Sequence, residues 1–242
     1  MRFVAIIPAR LGSTRLPRKP LREIDGKPMI QRVYEAAKAA PMLKDVIIAT
    51  DSDEIMALAK QNGWNARMTS ADHRSGTERV NEVAQEIFAD VYLNIQGDEP
   101  LTRPEHISVL LELMERPGVE VGTIKTPCPP EDVNNPNVVK VVSDVVGKSL
   151  YFSRSSIPFD RDSTGGSRYF KHLGFYAYRK VALETFVRLK ESSLEISERL
   201  EQLRFLENGI PIHVAETPFD TIGVDTEADV AKVEEILRKR GD

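Results

Sequence analysis

Cysteine and tryptophan are the scarcest residues of this 242-residue sequence, with one of each. A lone cysteine, Cys128, cannot form a disulfide within the chain, and its place between two prolines fits a structural role. No apolar run approaches the roughly 20 residues that a membrane-spanning helix needs. The N-terminus lacks a charged stretch followed by a long apolar one, so we expect no signal peptide, no membrane insertion and a cytoplasmic location.

A large charge of one sign is missing as well. The 33 lysines and arginines nearly balance the 37 acidic residues, and the formal net charge is −4. Proteins that bind nucleic acid usually carry a basic surplus, so nucleic acid is not an expected partner. The sequence also has no P-loop, no G-x-G-x-x-G, no H-E-x-x-H and no C-x-x-C pair. Covalent nucleophilic catalysis and a zinc site therefore have no support.

Basic residues are instead concentrated in one loop near the N-terminus. The apolar run 3–7 predicts a buried strand, and the loop follows it directly. Gly12 allows the backbone to approach an anion closely, and two prolines stiffen the loop. The side chains that could bind a polyphosphate are Arg10, Ser13, Thr14, Arg15 and Lys19. A solvated basic surface loop is the alternative interpretation.

Apolar periodicity predicts alternating strands and helices in the N-terminal half, which is typical of an α/β fold with a mostly parallel central sheet. The middle of the chain is richer in strands and predicts a β-rich substrate lobe. We expect a strand over 170–179, helices near 180–190 and 197–207, and a closing helix over 226–238. A polar loop over 158–168 is a candidate lid.

Two carboxylates follow predicted strands and could bind a metal. Asp98 lies where the third strand, 91–95, ends, and ligands of open α/β sheets bind at the carboxyl ends of strands. A carboxylate near a triphosphate commonly holds Mg²⁺. The alternative for Asp98 is a turn that caps the helix beginning at Pro104. Asp225 precedes a helix, so N-capping explains it equally well.

Three further polar groups are candidates for substrate contacts. The segment 72–79 joins glycine and hydroxyl donors at a helix start, which suits the base or ribose of a nucleotide, or simply a helix cap. His172 and Tyr176 share a strand face by period 2 and suggest a substrate site, although a buried histidine with satisfied hydrogen bonds is the alternative. Arg154 and Arg161 flank the lid candidate and could meet an anionic substrate.

Several motifs together resemble one enzyme family. They are Ile6–Arg10, Ser13–Pro17, Lys19–Leu21, Asp72–Arg79, Asn94–Pro100, Tyr151–Arg154, His172–Tyr176, Leu200–Arg204 and Gly223–Thr226. From residue 3 to about residue 230 the sequence is similar to the CMP-Kdo synthetases, or 3-deoxy-manno-octulosonate cytidylyltransferases. The combination is highly specific, although the first loop alone would fit several sugar nucleotidyltransferases.

The resemblance implies a Rossmann-like nucleotide-diphospho-sugar transferase fold, a Mg²⁺ cofactor and a homodimer. It implies that CMP is transferred from CTP to Kdo with release of pyrophosphate, for lipopolysaccharide assembly. The matching catalytic residues are Lys19, Arg15, Asp98 and Asp225, of which Asp98 and Asp225 match the metal ligands. The matching nucleotide residues are Arg10, Ser13, Thr14, Arg15, Lys19, Asp72, Ser75, Arg79 and Gln96. The matching sugar residues are Gln96, Arg154, Arg161, His172, Tyr176, Glu201 and Gln202.

We expect a single nucleotidyltransferase domain over 1–242. Its nucleotide-binding core would span 1–118 and about 203–242, and its sugar-binding and dimerisation lobe about 119–202. Arg18 departs from the family, which commonly has glycine there, so the backbone of the loop should be less permissive. A different acidic sugar, such as an 8-amino-Kdo analogue or a sialic acid, stays an alternative substrate. A nucleotide-sugar binding protein without turnover is the alternative from another class.

Overall fold

The computed structural model describes residues 1–12, 16–162 and 166–240. The chain divides into two compact units, Met1–Ser108 with the segment from Thr221 onward, and Val109–Asp220. In the first unit the elements are β1 (Phe3–Ala9), β2 (Glu23–Ile24), β3 (Lys27–Pro28), α1 (Met29–Lys38), β4 (Leu43–Thr50), α2 (Asp53–Asn62), β5 (Ala66–Met68), α3 (Gly76–Glu86) and β6 (Val91–Asn94), and α4 (Pro104–Glu115) begins there. The second unit contains β7 (Val121–Pro127), β8 (Lys140–Ser143), β9 (Ser149–Ser153), β10 (Phe170–Arg179), α5 (Lys180–Arg188), α6 (Ser193–Glu198), α7 (Leu203–Glu207) and β11 (His213–Glu216). The last helix, α8 (Glu227–Arg240), belongs to the first unit.

The first unit is built on a parallel sheet with β1 between β6 and β4, and β5 beside β4. Strand β1 is almost wholly apolar because helices cover the sheet, and Val4 to Ile7 are fully buried. Burial of Val4, Ile6 and Ile7 contributes roughly 1.5–3 kcal/mol for each side chain relative to an exposed one. Helix α2 begins where Ser52 Oγ accepts a hydrogen bond from the amide of Ile55, and it ends at Gly63 in the left-handed region. The expected parallel α/β core is confirmed.

The second unit is the β-rich part of the chain. Strand β10 pairs antiparallel with β7, β11 runs parallel to β7, and β8 and β9 form a hairpin. The strand predicted over 170–179 is confirmed, because β10 has these bounds. None of the helices within the described ranges is both long and apolar enough to span a bilayer.

The prediction of one helix over 197–207 is wrong. Helix α6 starts earlier, because Ser192 and Glu195 form a capping box at its N-terminus. It ends at Arg199, whose φ of 54° lies in the left-handed region, and α7 begins only at Leu203. Glu201 and Gln202 therefore lie in the break between two short helices rather than inside one long helix.

Candidate active site

The first unit contains a cavity of about 430 Å³ where β1 and β6 end. This volume falls in the range of small-ligand pockets. The lining residues are Pro8, Ala9, Arg10, Gly12, Lys19, Pro20, His73, Arg74, Ser75, Gly76, Arg79, Gln96, Gly97, Asp98 and Asp225. Four cations and two carboxylates are among them. Arg10, Lys19, Asp98 and Asp225 are predicted individually as site residues, whereas Pro8, Ala9 and Gly97 are included only as parts of motifs.

The uncharged members matter because the backbone is closely packed at this edge of the sheet. A Cβ atom on Gly97 would lie 2.9 Å from the carbonyl oxygen of Pro8, which is too close for any side chain. A Cβ on Gly76 would lie 3.2 Å from the ring of Pro8. Glycine at these two positions therefore lets three chain segments converge on one cavity.

Lys19, Asp98 and Asp225 form one ionic cluster in the cavity wall. The Lys19 ammonium lies 2.5 Å from Oδ2 of Asp98 and 2.8 Å from Oδ1 of Asp225. Burial acts to lower the pKa of Lys19, but the charge of Asp98 and hydrogen bonds with both carboxylates raise it above its ordinary value. Lys19 is therefore a permanently charged side chain that holds two carboxylates together.

Local structure brings these three residues together across more than 200 positions of sequence. Lys19 opens a short 3₁₀ turn, Lys19–Leu21. The amide of Val224 donates to the carbonyl of Asp98 at 2.9 Å, which places Asp225 beside Asp98. An apolar cluster that includes Val224 packs next to these residues. Its buried members are Leu16, Ile24, Met29, Leu101, Val224, Val230, Val233 and Leu237.

Capping of α8 does not account for the Asp225 carboxylate. The Asp229 carboxylate accepts from the amide of Thr226 at 2.8 Å and from the amide of Asp225 at 3.0 Å. Thr226 Oγ1 in turn accepts from the amide of Asp229 at 3.3 Å. Thr226 and Asp229 thus form the reciprocal cap, while the side chain of Asp225 contacts Lys19.

Among the described residues, no three His, Cys, Asp or Glu side chains are grouped as a metal-binding set. Asp98 and Asp225 are a pair. A pair of carboxylates still fits Mg²⁺, which usually takes one or two carboxylates and completes its shell with phosphate oxygens and water. The fact that both carboxylates already bind one cation, the Lys19 ammonium, supports this fit.

The segment before α3 forms the opposite wall of the cavity. Ser75 caps α3, since its Oγ accepts from the amide of Glu78 at 3.2 Å, and it also lines the cavity. His73 Nε2 is hydrogen-bonded to Glu82. Arg79 is 3% exposed and is held by Thr69 and by Asp51 at 2.9 Å. Capping and ligand contact are therefore compatible roles here, rather than alternatives.

Other predicted nucleotide residues have individual outcomes. Gln96 lines the cavity and donates from Nε2 to Oδ1 of buried Asn94 at 3.2 Å. Arg10 lines the cavity and is exposed. Asp72 is exposed, and its amide donates to Ser70 Oγ. Ser13, Thr14 and Arg15 lie outside the described residues.

Arg18 adopts a backbone conformation that glycine tolerates and that is costly for arginine. Its φ of 57° and ψ of 30° lie in the left-handed region, where a residue with a Cβ is disfavoured by about 1–2 kcal/mol. Its guanidinium forms an exposed ion pair with Glu54 at 2.5 Å. The expectation of a less permissive loop at Arg18 is consistent with this conformation.

In the second unit, His172 and Tyr176 are close neighbours on β10, with ring centroids 5.4 Å apart. The predicted shared face is confirmed. Burial lowers the pKa of His172 to about 3, so the ring is neutral at physiological pH. Burial also raises the pKa of Tyr176 well above its ordinary value, and the charge of Glu201 adds to this effect. The structure thus brings Glu201 near the same strand face.

Arg154 is fully engaged with backbone carbonyls. Its guanidinium donates to the carbonyls of Glu198 at 2.7 Å, Pro136 at 3.0 Å and Arg199 at 3.4 Å. Fully buried Lys140 donates to three carbonyls from the same surroundings, including that of Arg154 at 2.8 Å. In this structure Arg154 braces the start of the 199–202 segment; contact with a sugar acid stays a prediction.

The remaining sugar-site candidates lie around the break between α6 and α7 and in the lid candidate. Gln202 is 5% exposed, and its Nε2 makes no hydrogen bond within the described part of the chain. Arg161 is exposed. Residues 163–165 of the lid candidate lie outside the described ranges.

Known proteins with similar sequences are cytidylyltransferases, which agrees with a nucleotide site in the cavity. A family model described as cytidylyltransferase matches residues 4–216. The chain is 68% identical over 240 residues to 3-deoxy-manno-octulosonate cytidylyltransferase of Koribacter versatilis, covering 99% of this chain and 92% of that protein. It is 56% identical to the enzyme of that name from Acidobacterium capsulatum, covering 99% and 98%.

A solved structure extends the likeness to three dimensions. It is CMP:2-keto-3-deoxy-manno-octonic acid synthetase complexed with CTP, with a TM-score of 0.95 and 42% identity, covering 99% of this chain and 100% of that one. A match of this extent spans the cavity, the ionic cluster and the β-rich unit alike. The chain belongs to the cytidylyltransferase family and, within it, to the 3-deoxy-manno-octulosonate cytidylyltransferases.

Proposed function

We propose that this protein transfers CMP from CTP to 3-deoxy-manno-octulosonate, giving CMP-Kdo and pyrophosphate for lipopolysaccharide biosynthesis. The observation that carries the proposal is the cavity at the ends of β1 and β6, where Lys19 holds Asp98 and Asp225. Relatives that are 68% and 56% identical bear the name of this enzyme. A pure binding protein has no need of two carboxylates held at a cationic cavity.

The reaction is a displacement at phosphorus. The anomeric hydroxyl of the sugar acid attacks the α-phosphorus, a new P–O bond forms, and the bond to the leaving pyrophosphate breaks while the hydroxyl proton is released. Such transfers depend mainly on positioning and on electrostatic stabilisation. Arg10 and Lys19 supply positive charge against the triphosphate, and we assign the same role to Arg15.

We assign Mg²⁺ as the cofactor, with Asp98 and Asp225 as the protein ligands. When bound, the ion supplies Lewis-acid stabilisation of phosphate charge. The protein itself positions the two carboxylates. Lys19 holds them in place, and the backbone hydrogen bond from the Val224 amide to the Asp98 carbonyl fixes their separation. Ser75 and Gln96 supply polar groups to the nucleotide cavity. The polar groups for the sugar acid come from Tyr176, His172, Glu201 and Gln202.

We further assign a homodimer in the cytoplasm. Exposed apolar side chains are concentrated in the second unit, where Val145 is 103%, Phe159 85%, Val181 68% and Leu150 62% exposed. Exposed apolar side chains mark protein interfaces where they adjoin one another. The single cysteine suits a reducing compartment. Sedimentation equilibrium of the purified protein checks the assembly, and a monomer at micromolar concentration would contradict it.

Pyrophosphate release tests the substrate assignment. Each of the four nucleoside triphosphates is supplied with Kdo or with a sialic acid, in the presence and absence of Mg²⁺. We expect release only with CTP, Kdo and Mg²⁺ together. Release with a sialic acid but not with Kdo would overturn the sugar assignment, and no release with any sugar acid would favour a binding protein.

A matched pair of variants tests the site. Lys19→Ala should lower turnover by roughly 10²–10³-fold, the usual effect of removing one preorganised charge. Arg22→Ala removes a cation three residues away that forms only an exposed ion pair with Glu227, and it should keep normal turnover. Equal effects of both changes would remove Lys19 from the mechanism.

A further inference from the structure

Strand β10 contains a two-residue bulge between the two predicted sugar-site residues. Leu173 lies opposite Ile124 on β7, but Tyr176 lies opposite Thr123, so Gly174 and Phe175 are extra residues on β10. In a regular strand, positions four apart are separated by about 13 Å. The rings of His172 and Tyr176 are only 5.4 Å apart, so the bulge shortens this stretch.

Thr123 is fully buried, and its hydroxyl lies in this bulge. Thr123 Oγ1 lies 2.7 Å from the carbonyl oxygen of Phe175 and 3.3 Å from that of Leu173. It also lies 3.0 Å from Nε2 of His172. One hydroxyl therefore faces two carbonyl oxygens and one ring nitrogen, and its hydrogen bond with the Tyr176 side chain acts to lower the pKa of that tyrosine.

The number of protons fixes how these contacts are made. A threonine hydroxyl carries one hydrogen, and a carbonyl oxygen can only accept. Two oxygens 2.7 Å apart repel unless a hydrogen lies between them, so the Thr123 hydrogen belongs to the bond with Phe175. The contact with His172 must then use a hydrogen on Nε2, with Thr123 Oγ1 as the acceptor.

The surroundings of the ring agree with a fixed, uncharged imidazole. The ring of Phe152 meets His172 edge to face at 5.0 Å and 82°. The backbone amide of His172 donates to the carbonyl of Val139 at 2.8 Å. Burial keeps the pKa of the ring near 3, so at neutral pH it carries one hydrogen.

We propose that Thr123 is a positioning residue that fixes His172 as the neutral tautomer with hydrogen on Nε2. The hydrogen-bonding capacity of Nδ1 is then that of an acceptor. Resting on the proposed function, this assigns His172 a defined part at the sugar site: it accepts a hydrogen bond from a hydroxyl of the sugar acid and does not pair as a cation with its carboxylate. The Thr123 hydroxyl on β7 would thus determine which nitrogen of His172, on β10, accepts a hydrogen bond from the sugar acid.

Nitrogen-15 NMR of the wild-type protein, labelled on histidine, tests the tautomer directly. Four histidines contribute signals, and the spectrum of His172→Gln identifies the one that belongs to His172. We expect a protonated Nε2 and an unprotonated Nδ1 at pH 7. A protonated Nδ1, or a charged ring, would overturn the proposal whatever sugar the enzyme uses.

Kinetics of three variants test the positioning role. Thr123→Val keeps the shape of the side chain but removes the hydroxyl, and Thr123→Ser keeps the hydroxyl. Thr126→Val is the matched control, a buried threonine on the same strand. We expect Thr123→Val to lower kcat/KM for Kdo about tenfold, the effect of about 1.4 kcal/mol, with the KM for CTP unchanged.

Rescue separates positioning from a merely structural effect. Thr123→Ser should stay within about twofold of wild type and keep the wild-type NMR pattern, whereas Thr123→Val should show a mixture of tautomers. A Thr123→Val enzyme with the wild-type tautomer would overturn the proposal. If Thr123→Val does not fold, the wild-type spectrum and Thr123→Ser decide. If wild-type enzyme does not turn over Kdo, the proposed function fails, and the NMR result still decides the tautomer.

Discussion

Replacing Lys19 by methionine is the most informative perturbation of the ionic cluster. The substitution keeps the length and the apolar stem of the side chain and removes only the charge. The ammonium holds Asp98 at 2.5 Å and Asp225 at 2.8 Å, so the two carboxylate oxygens lie at most about 5 Å apart, the sum of these distances. These two like charges repel each other in both proteins, but the ammonium offsets the repulsion, and Lys19→Met leaves it without compensation.

The size of the repulsion follows from Coulomb's law. At about 5 Å it is about 0.8 kcal/mol in water and about 3 kcal/mol at an effective dielectric constant of 20. The side chains of Asp98 and Asp225 are 35% and 46% exposed, so solvent screens the pair and the lower half of this range applies. We expect Lys19→Met to lower the free energy of unfolding by about 1–2 kcal/mol at pH 7 without divalent ions.

Magnesium should reverse this loss, because a divalent cation can take the place of the ammonium. Urea unfolding with and without Mg²⁺ measures the effect, and calorimetric titration should show that free Lys19→Met binds Mg²⁺ more tightly than free wild-type protein. Arg22→Met is the control, because it removes an exposed cation next to Glu227 and should show no added Mg²⁺ dependence. A Lys19→Met protein as stable as wild type without Mg²⁺, and no more responsive to Mg²⁺, would refute the reasoning.

Three further changes have defined outcomes. Asp98→Asn and Asp225→Asn should each lose most Mg²⁺-dependent turnover with nearly unchanged melting temperature, and the double variant should be little worse, because both act through one site; a fully active Asp225→Asn enzyme at low Mg²⁺ would contradict this. Arg18→Gly should raise the free energy of unfolding in urea by about 1 kcal/mol, because glycine adopts the left-handed φ of 57° without the cost of a Cβ, and unchanged stability would argue against that conformation. The pKa of His172 falls from about 6.5 in an unfolded chain to about 3, so the unfolded state binds more protons between these values and stability falls as pH drops. Replacing His172 by glutamine should therefore reduce the loss of stability between pH 7 and pH 5 by about 2 kcal/mol, measured by urea unfolding at each pH, and an identical loss in both proteins would contradict the shift.

Local sequence signals predict what depends on neighbours in the chain. The apolar run of β1 and the Ser75 cap follow from spacing, and the structure has them. The sequence leaves the role of Asp225 open between capping α8 and binding a metal, because the residue precedes the helix. Only the reciprocal bonds of Thr226 and Asp229 show that capping does not account for it.

Structural features that depend on contacts between distant parts of the chain cannot be predicted from local sequence patterns. The bulge in β10 brings the Phe175 carbonyl against Thr123, about fifty residues earlier, whose hydroxyl donates to it. The break at Arg199 is contacted from a distant part of the chain, since the Arg154 guanidinium donates to the carbonyls of Glu198 and Arg199. Neither has a local pattern, so the sequence predicted one long helix where two short ones form.

The backbone hydrogen bond between Val224 and Asp98 affects when the site can form during synthesis of the chain. A ribosome releases Asp98 long before Asp225, and the helix that anchors Asp225 through Val230, Val233 and Leu237 comes later still. A nascent chain can complete the parallel sheet of its first hundred residues while the ionic cluster has only two of its three members. The ionic cluster is therefore assembled only after Asp225 has been synthesised, and a chain that stops before this residue lacks the third member of the cluster.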